Sequence, residues 1–244
     1  MDNNTNNTAR HLELVSRNGK VRRWQEAQAA ELAWWDRWQD LYFYRNHSFR
    51  SYWAARVQAF GISHDDCTGK RIVEVGCGPH GVVGYLFPNA VKIGVDPLIN
   101  RFRERAQPAG RAVLVTGLGE TLPIRDNSVD LAFCINVIDH VVNPAMVLRE
   151  IHRILRKSGE LVLEAHTFPP PLIPFMFMDK PHTYHWSARK MVSLVDDTSF
   201  KILRVEQLDF DVKLSWMSYL RPRDWKYILG KMCMKLTYVH AVKR

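Results

Sequence analysis

The chain is short of the features that would mark it as secreted, membrane-spanning or stapled by metal. It has four cysteines in 244 residues. Cys67, Cys77, Cys134 and Cys233 are isolated and form no C-x-x-C pair, which argues against a disulfide framework or a thiolate zinc site. They read as buried thiols. No 18 uncharged apolar residues run together, so no transmembrane helix is expected. The segment MDNNTNNTAR has no apolar signal-peptide core, and a cytoplasmic protein is the expectation. Internal repeats and long low-complexity tracts are absent too.

Acidic residues are the scarcer charge, 25 Asp and Glu against 34 Lys and Arg, for a net +9. Such a balance is compatible with nucleic acid, anionic membranes or phosphorylated substrates. The basic residues are spread from Arg17, Lys20, Arg22 and Arg23 to Arg221, Arg223, Lys226 and Lys231, which favours a solvated surface. What the chain does have is apolar content, 46% hydrophobic residues, enough to bury one large domain or a domain with an appended cap.

Residues 1–10 read as an Asn/Thr tail. Trp34, Trp35, Trp38, Leu41 and Tyr42 then recur at helical spacing, and FRSYWAARVQAF gives a second helix. From residue 70 short apolar runs follow: RIVEVG, VKIGVD, AVLVTG, VDLAFCI and GELVLEA, the pattern of a parallel sheet wrapped by helices. Between the last two, PAMVLREIHRILRK is a helix opened by Pro144 and closed before Gly159. FPPPLIPFMFMDKPHTYHW reads as a loop, SARKMVSLVDD as a helix, and KILRVEQLDFDV and KLTYVHAVKR as closing strands around a helix in RPRDWKYILGKM. The expected division is a tail and helical cap over 1–65 and a main domain over 66–244, with 168–198 and 213–234 as substrate-side insertions.

VEVGCGPHG sets Gly76, Gly78 and Gly81 behind a strand and ahead of an expected helix, VVGYLF. A G-x-G-x-x-G turn by itself is common. Here its context is that of a ligand reaching a helix amino terminus, and Asp96 ends the second strand about 20 residues after Gly76, where a carboxylate binds ribose hydroxyls. A nucleoside cofactor is expected, and NAD and S-adenosylmethionine both suit this outline.

VEVGCGPHG, GVDPL and GLGETLPIRDNSVDLAFCINVIDHVVNPAMVLREIHRILRKSGELVL together resemble the class I S-adenosylmethionine-dependent methyltransferases, in particular the small-molecule group called methyltransferase type 11, over residues 70 to 166. The resemblance implies a Rossmann-like α/β fold: a seven-stranded, mainly parallel sheet of order 3-2-1-4-5-7-6 with the last strand antiparallel, flanked by helices. It implies that Glu74, Gly76, Cys77 and Gly78 border the cofactor's methionine and ribose, that Asp96 and Pro97 hold the ribose, and that Leu118, Gly119 and Glu120 line the adenine. It sets Asn136 beside the methionyl group. Many relatives carry an acidic residue where Leu118 stands, so here the adenine amino contact must come from backbone or elsewhere.

Methyl transfer to a hydroxyl needs a proton acceptor, and histidine suits neutral pH. His140, after the fourth strand, His166, after the fifth, and His185 are candidate catalytic residues, with His182, Tyr44 and Tyr52 for the acceptor. His140 could equally cap a helix. His152 reads as a surface residue and His80 as a turn residue, while the tryptophan-rich helix is expected to pack on the domain or act as a lid. PPPLIPFMFM could cover the substrate, meet a second copy of the chain or touch a membrane. No metal constellation stands out, because Asp196-Asp197 has no histidine at ligand spacing, and metal-independent transfer is expected. The function expected is O-methylation of a small or medium acceptor, such as a sugar or phenol, in secondary metabolism or glycan assembly. The alternatives are RNA or a lipid-like acceptor, or a non-catalytic cofactor-binding protein.

Overall fold

The computed structural model describes residues 20–38, 47–63, 67–79, 81–102, 112–178, 182–209 and 225–244. Tyr44, His80, the 1–10 tail and residues 210–224 lie outside them. In chain order the elements are α1 (Lys20–Trp38), α2 (His47–Ala59), β1 (Arg71–Val75), β2 (Val91–Asp96), α3 (Ile99–Phe102), β3 (Ala112–Thr116), β4 (Val129–Ile135), α4 (Pro144–Ile154), β5 (Leu155–Thr167), a 3-10 segment (Pro170–Met178), α5 (Ala188–Asp196), β6 (Phe200–Asp209), α6 (Trp225–Met232) and β7 (Lys235–Lys243).

The strands form one seven-stranded sheet in the order β3-β2-β1-β4-β5-β7-β6. β1 to β5 run parallel, while β7 lies antiparallel between β5 and β6. The expected Rossmann-like order is the one observed. Strands β1 and β4 are almost wholly buried because they are covered on both faces. One face packs Val147, Leu148, Ile151 and Ile154 of α4 and Met191 and Val195 of α5 against Val73, Val75, Ala132, Leu161 and Leu163. The other packs Trp53 and Val57 of α2 and Leu86 and Phe87 against Ile72, Leu131, Phe133 and Tyr238.

Three segments depart from the expected layout, each for a local reason. VVGYLF is a series of turns rather than a helix: the window is bounded by Gly81 and Pro88 and broken by Gly84, too short to nucleate one. The helix from Pro144 stops at Ile154, because Leu155 is already extended (φ −66°, ψ 137°) and pairs with Val129. PPPLIPFMFM forms the 3-10 segment instead of an open loop, and its buried Met176 packs with Phe168 and Met234. Met176 also lies against Gly230 of α6, so this residue is covered from within the chain, while Pro170, Pro171 and Pro174 are exposed.

No helix among the described residues is long and apolar enough to cross a membrane.

Candidate cofactor and acceptor site

Two buried carboxylates organise the carboxyl ends of β1 and β2. Glu74 accepts the backbone N–H groups of Val82 (2.8 Å) and Val83 (2.9 Å), so the turn that replaces the expected helix still aims its first amides inward. Asp96 accepts from Gly78 N (2.9 Å) and Leu98 N (2.8 Å), which fixes its carboxylate beside the glycine turn. Burial pushes the Glu74 carboxyl up to about 7 and Asp96 up to about 6, against the lowering effect of these donors.

The glycines are required first by the protein's own neighbours. A Cβ on Gly76 would sit 2.2 Å from Val137 Cγ2, in a backbone whose φ of +72° already disfavours side chains. One on Gly81 would sit 2.7 Å from Glu74 Oε2, and one on Gly78 3.2 Å from Trp35. Trp35 thus lies across the turn from α1, its indole donating to Glu31 and its ring edge-on to Phe102.

The remaining residues anticipated for the cofactor divide by where they point. Cys77 turns its thiol toward Gly94, and burial raises its pKa well above the ordinary thiol value, so it serves packing. Pro97 follows Asp96 at the rim. Leu118 and Gly119 bring backbone to the next loop, with Leu118 bridged to Thr121. Glu120 Oε1 accepts Val142 N (2.8 Å) and Asn143 N (3.0 Å) at the entrance to α4. Asn136 is exposed at the end of β4 with φ +53°, its N–H donating to Glu164 O.

At the carboxyl ends of β4 and β5 four imidazoles converge. The His182 ring lies 4.5 Å from that of His140, 5.9 Å from His166 and 6.1 Å from His185, centroid to centroid. Asp139 ties the two loops together through its backbone, its carbonyl accepting from Thr183 N (2.7 Å) and Tyr184 N (3.0 Å). Its carboxylate lies 3.9 Å from His140 Nε2 and 3.8 Å from His182 Nε2. Arg23 of α1 donates to His182 O, so the cap reaches this cluster as well. His152 is remote from it, edge-on to Phe200 under α4.

Sequence reasoning passed over two acidic residues here. Asp139, next to His140, joins the cluster. Glu164, inside the apolar run LVLEA, is buried with its carboxyl pushed up to about 8 by burial and by the Asp139 charge, and its Oε1 has no hydrogen-bond partner among the described residues. It pairs in register with Tyr238, whose hydroxyl is 3.0 Å from that of Tyr52. Tyr52 is exposed. A carboxyl within an otherwise apolar strand was the available signal.

The family model described as a methyltransferase domain matches residues 73–163. A probable S-adenosylmethionine-dependent methyltransferase of Mycobacterium tuberculosis (strain H37Rv) is 29% identical over 161 residues, covering 62% of this chain and 56% of that protein. A 37.1 kDa protein in a transposon of Streptomyces fradiae is 32% identical over 121 residues, 47% of this chain and 34% of its own length. The chain therefore spans between about a third and three fifths of these relatives. Geranyl diphosphate C-methyltransferase from Streptomyces coelicolor A3(2), in complex with Mg2+, geranyl diphosphate and S-adenosyl-L-homocysteine, superposes with a TM-score of 0.58 at 15% identity, covering 81% of this chain and 80% of that one. At that identity the likeness is one of fold.

Proposed function

We propose, on the premise that residues 73–163 are a class I S-adenosylmethionine-dependent methyltransferase domain, that the chain methylates an oxygen of a small or medium acceptor, a sugar or phenolic hydroxyl. The observation that carries the oxygen assignment is the convergence of His140, His166, His182 and His185 at the ends of β4 and β5. A hydroxyl, unlike an amine or thiolate, must lose its proton as the new bond forms.

The residues present fit the cofactor. Asp96 is buried, oriented by two backbone donors, and keeps lone pairs for the ribose hydroxyls. Bound there, S-adenosylmethionine supplies an electrophilic methyl group on a sulfonium sulfur, an excellent leaving group. Glu74 holds the turn in shape, the backbone at Leu118 and Gly119 borders the adenine, and the Asn136 carbonyl faces the methionyl end. His140, His166 and His185 are the candidate proton acceptors, with His182 and Tyr52 the candidates for acceptor binding; Tyr44, the third, lies outside the described residues. Helix α1, whose Trp35 lies against the glycine turn and whose Arg23 donates to His182 O, helps exclude water and favours in-line attack.

The experiment is incubation with methyl-labelled S-adenosylmethionine and separate pools of small hydroxylated compounds, RNA and lipid extract, followed by mass spectrometry of the products. Label in a small O-methyl product supports the proposal. Label confined to RNA or lipid overturns the acceptor class, and tight cofactor binding with no labelled product in any pool favours a non-catalytic cofactor-binding protein.

A further inference from the structure

The sequence shows no metal-ligand spacing, yet folding brings Asp139, His140 and His182 together, their donor atoms all within 4.8 Å of one another. The two loops, 42 positions apart from His140 to His182, are joined by Thr183 N and Tyr184 N donating to the Asp139 carbonyl and by the Tyr184 hydroxyl donating to Val142 O (2.7 Å). Two of the donor atoms, Asp139 Oδ1 and His140 Nε2, are buried and have no hydrogen-bond partner among the described residues. The Asp139 side chain is only 2% exposed. Polar atoms buried this deeply are ordinarily satisfied by a partner, and leaving them without one costs free energy.

A carboxylate–imidazole dyad for proton relay would supply such a partner at about 2.7–2.9 Å. The imidazole nitrogens stand 3.9 and 3.8 Å away, too far for that bond. The spacing instead resembles that of ligands around one ion: donors bound at about 2.0–2.2 Å in tetrahedral coordination lie roughly 3.4 Å apart. Drawing the two carboxylate–imidazole distances in by about half an ångström, and the widest donor pair by up to about 1.4 Å, gives that geometry.

From this we propose that Asp139, His140 and His182 bind one divalent transition-metal ion. Two imidazoles and one carboxylate favour Zn2+, Co2+, Fe2+ or Mn2+ over Mg2+, which prefers all-oxygen surroundings. Three protein ligands leave at least one coordination position, facing the pocket in which the other histidines lie, for an oxygen of the acceptor. The role of this ion rests on the methyltransferase reading, because its open position is assigned to that acceptor; proton removal then falls to His166 and His185. The site itself is independent of that reading.

The test uses the full chain without a polyhistidine tag, stripped with chelator and titrated with Co2+ by calorimetry and visible absorption, with S-adenosylmethionine binding measured on the same samples. The expected result is about one equivalent of Co2+ with d–d bands of a low-coordinate nitrogen and oxygen site. His182→Ala and Asp139→Ala are each expected to weaken binding on the order of 100-fold, while His152→Ala leaves it unchanged. His182→Ala is the decisive variant if loss of Asp139 impairs folding. Absence of stoichiometric binding, or binding that survives the His182 change, overturns the proposal. Failure to bind S-adenosylmethionine while Co2+ still binds would instead count against the cofactor reading and leave the metal site standing.

Discussion

Asp96→Ala is expected to weaken S-adenosylmethionine binding on the order of 100-fold or more while leaving the fold intact. The carboxylate is held in place by Gly78 N and Leu98 N and is the group offered to the ribose hydroxyls. Hydrogen bonds to a charged group contribute about 1.5–3 kcal/mol each, and every 1.4 kcal/mol is tenfold in affinity. Two such bonds account for a 100-fold loss, even if each falls at the lower bound. Asp96→Asn keeps the volume but sets an amide among backbone N–H donors, and an intermediate loss follows. Burial raises this carboxyl from 3.8 to about 6 in the free protein, which fixes the sign of the pH dependence. Binding favours the ionised form, so affinity is flat above about pH 7 and falls roughly tenfold per unit below about 6. The same shift acts oppositely on the free fold: its contribution is most favourable below about 4 and is lost as pH rises through 6. Calorimetric titrations of wild type and both variants between pH 5 and 8 check all of this. An Asp96→Ala protein with wild-type affinity would refute the assignment.

The second large effect is at Gly76. Alanine there would have to adopt a φ of +72° and place its Cβ 2.2 and 2.6 Å from the two γ-carbons of Val137. The left-handed backbone costs an L-residue about 1–2 kcal/mol, and the collision forces Val137, at the mouth of β4, to move. A total destabilisation of roughly 3 kcal/mol or more is expected, with loss of cofactor binding. Because Val137 is the obstacle, Gly76→Ala and Val137→Ala should not add: the double variant is expected to recover about 1 kcal/mol or more relative to the sum. The Val137 Cβ at 2.9 Å keeps that recovery incomplete. Urea unfolding of the two single variants and the double variant measures the coupling, and strict additivity would show that strain at Gly76 does not run through Val137.

Much of this architecture is legible in the chain because it depends on local pattern. Five apolar runs with turn residues between them give the parallel strands, and the resemblance carried by residues 70 to 166 supplies their order. Asp96 is readable because its position after β2 is a matter of spacing along one chain. VVGYLF reads as a helix by its apolar content, but Gly84 within it and Gly81 and Pro88 at its ends leave a series of turns. Glu120 shows another limit: its Oε1 is held by backbone donors at Val142 and Asn143, 22 and 23 positions further on, a link that no local pattern announces. The Asp139, His140 and His182 cluster is the clearest case. Its members are chemically conspicuous, but their meeting depends on backbone hydrogen bonds between loops 42 positions apart, a contact that has no signature in spacing.

The central claim is that the glycine turn and Asp96 hold S-adenosylmethionine. The most direct test is calorimetric titration of the unmodified protein with S-adenosylmethionine, S-adenosylhomocysteine and NAD. Saturable one-to-one binding of the first two at micromolar concentration, with no heat from NAD, is the result predicted here; binding of NAD with no response to either adenosyl compound would contradict it.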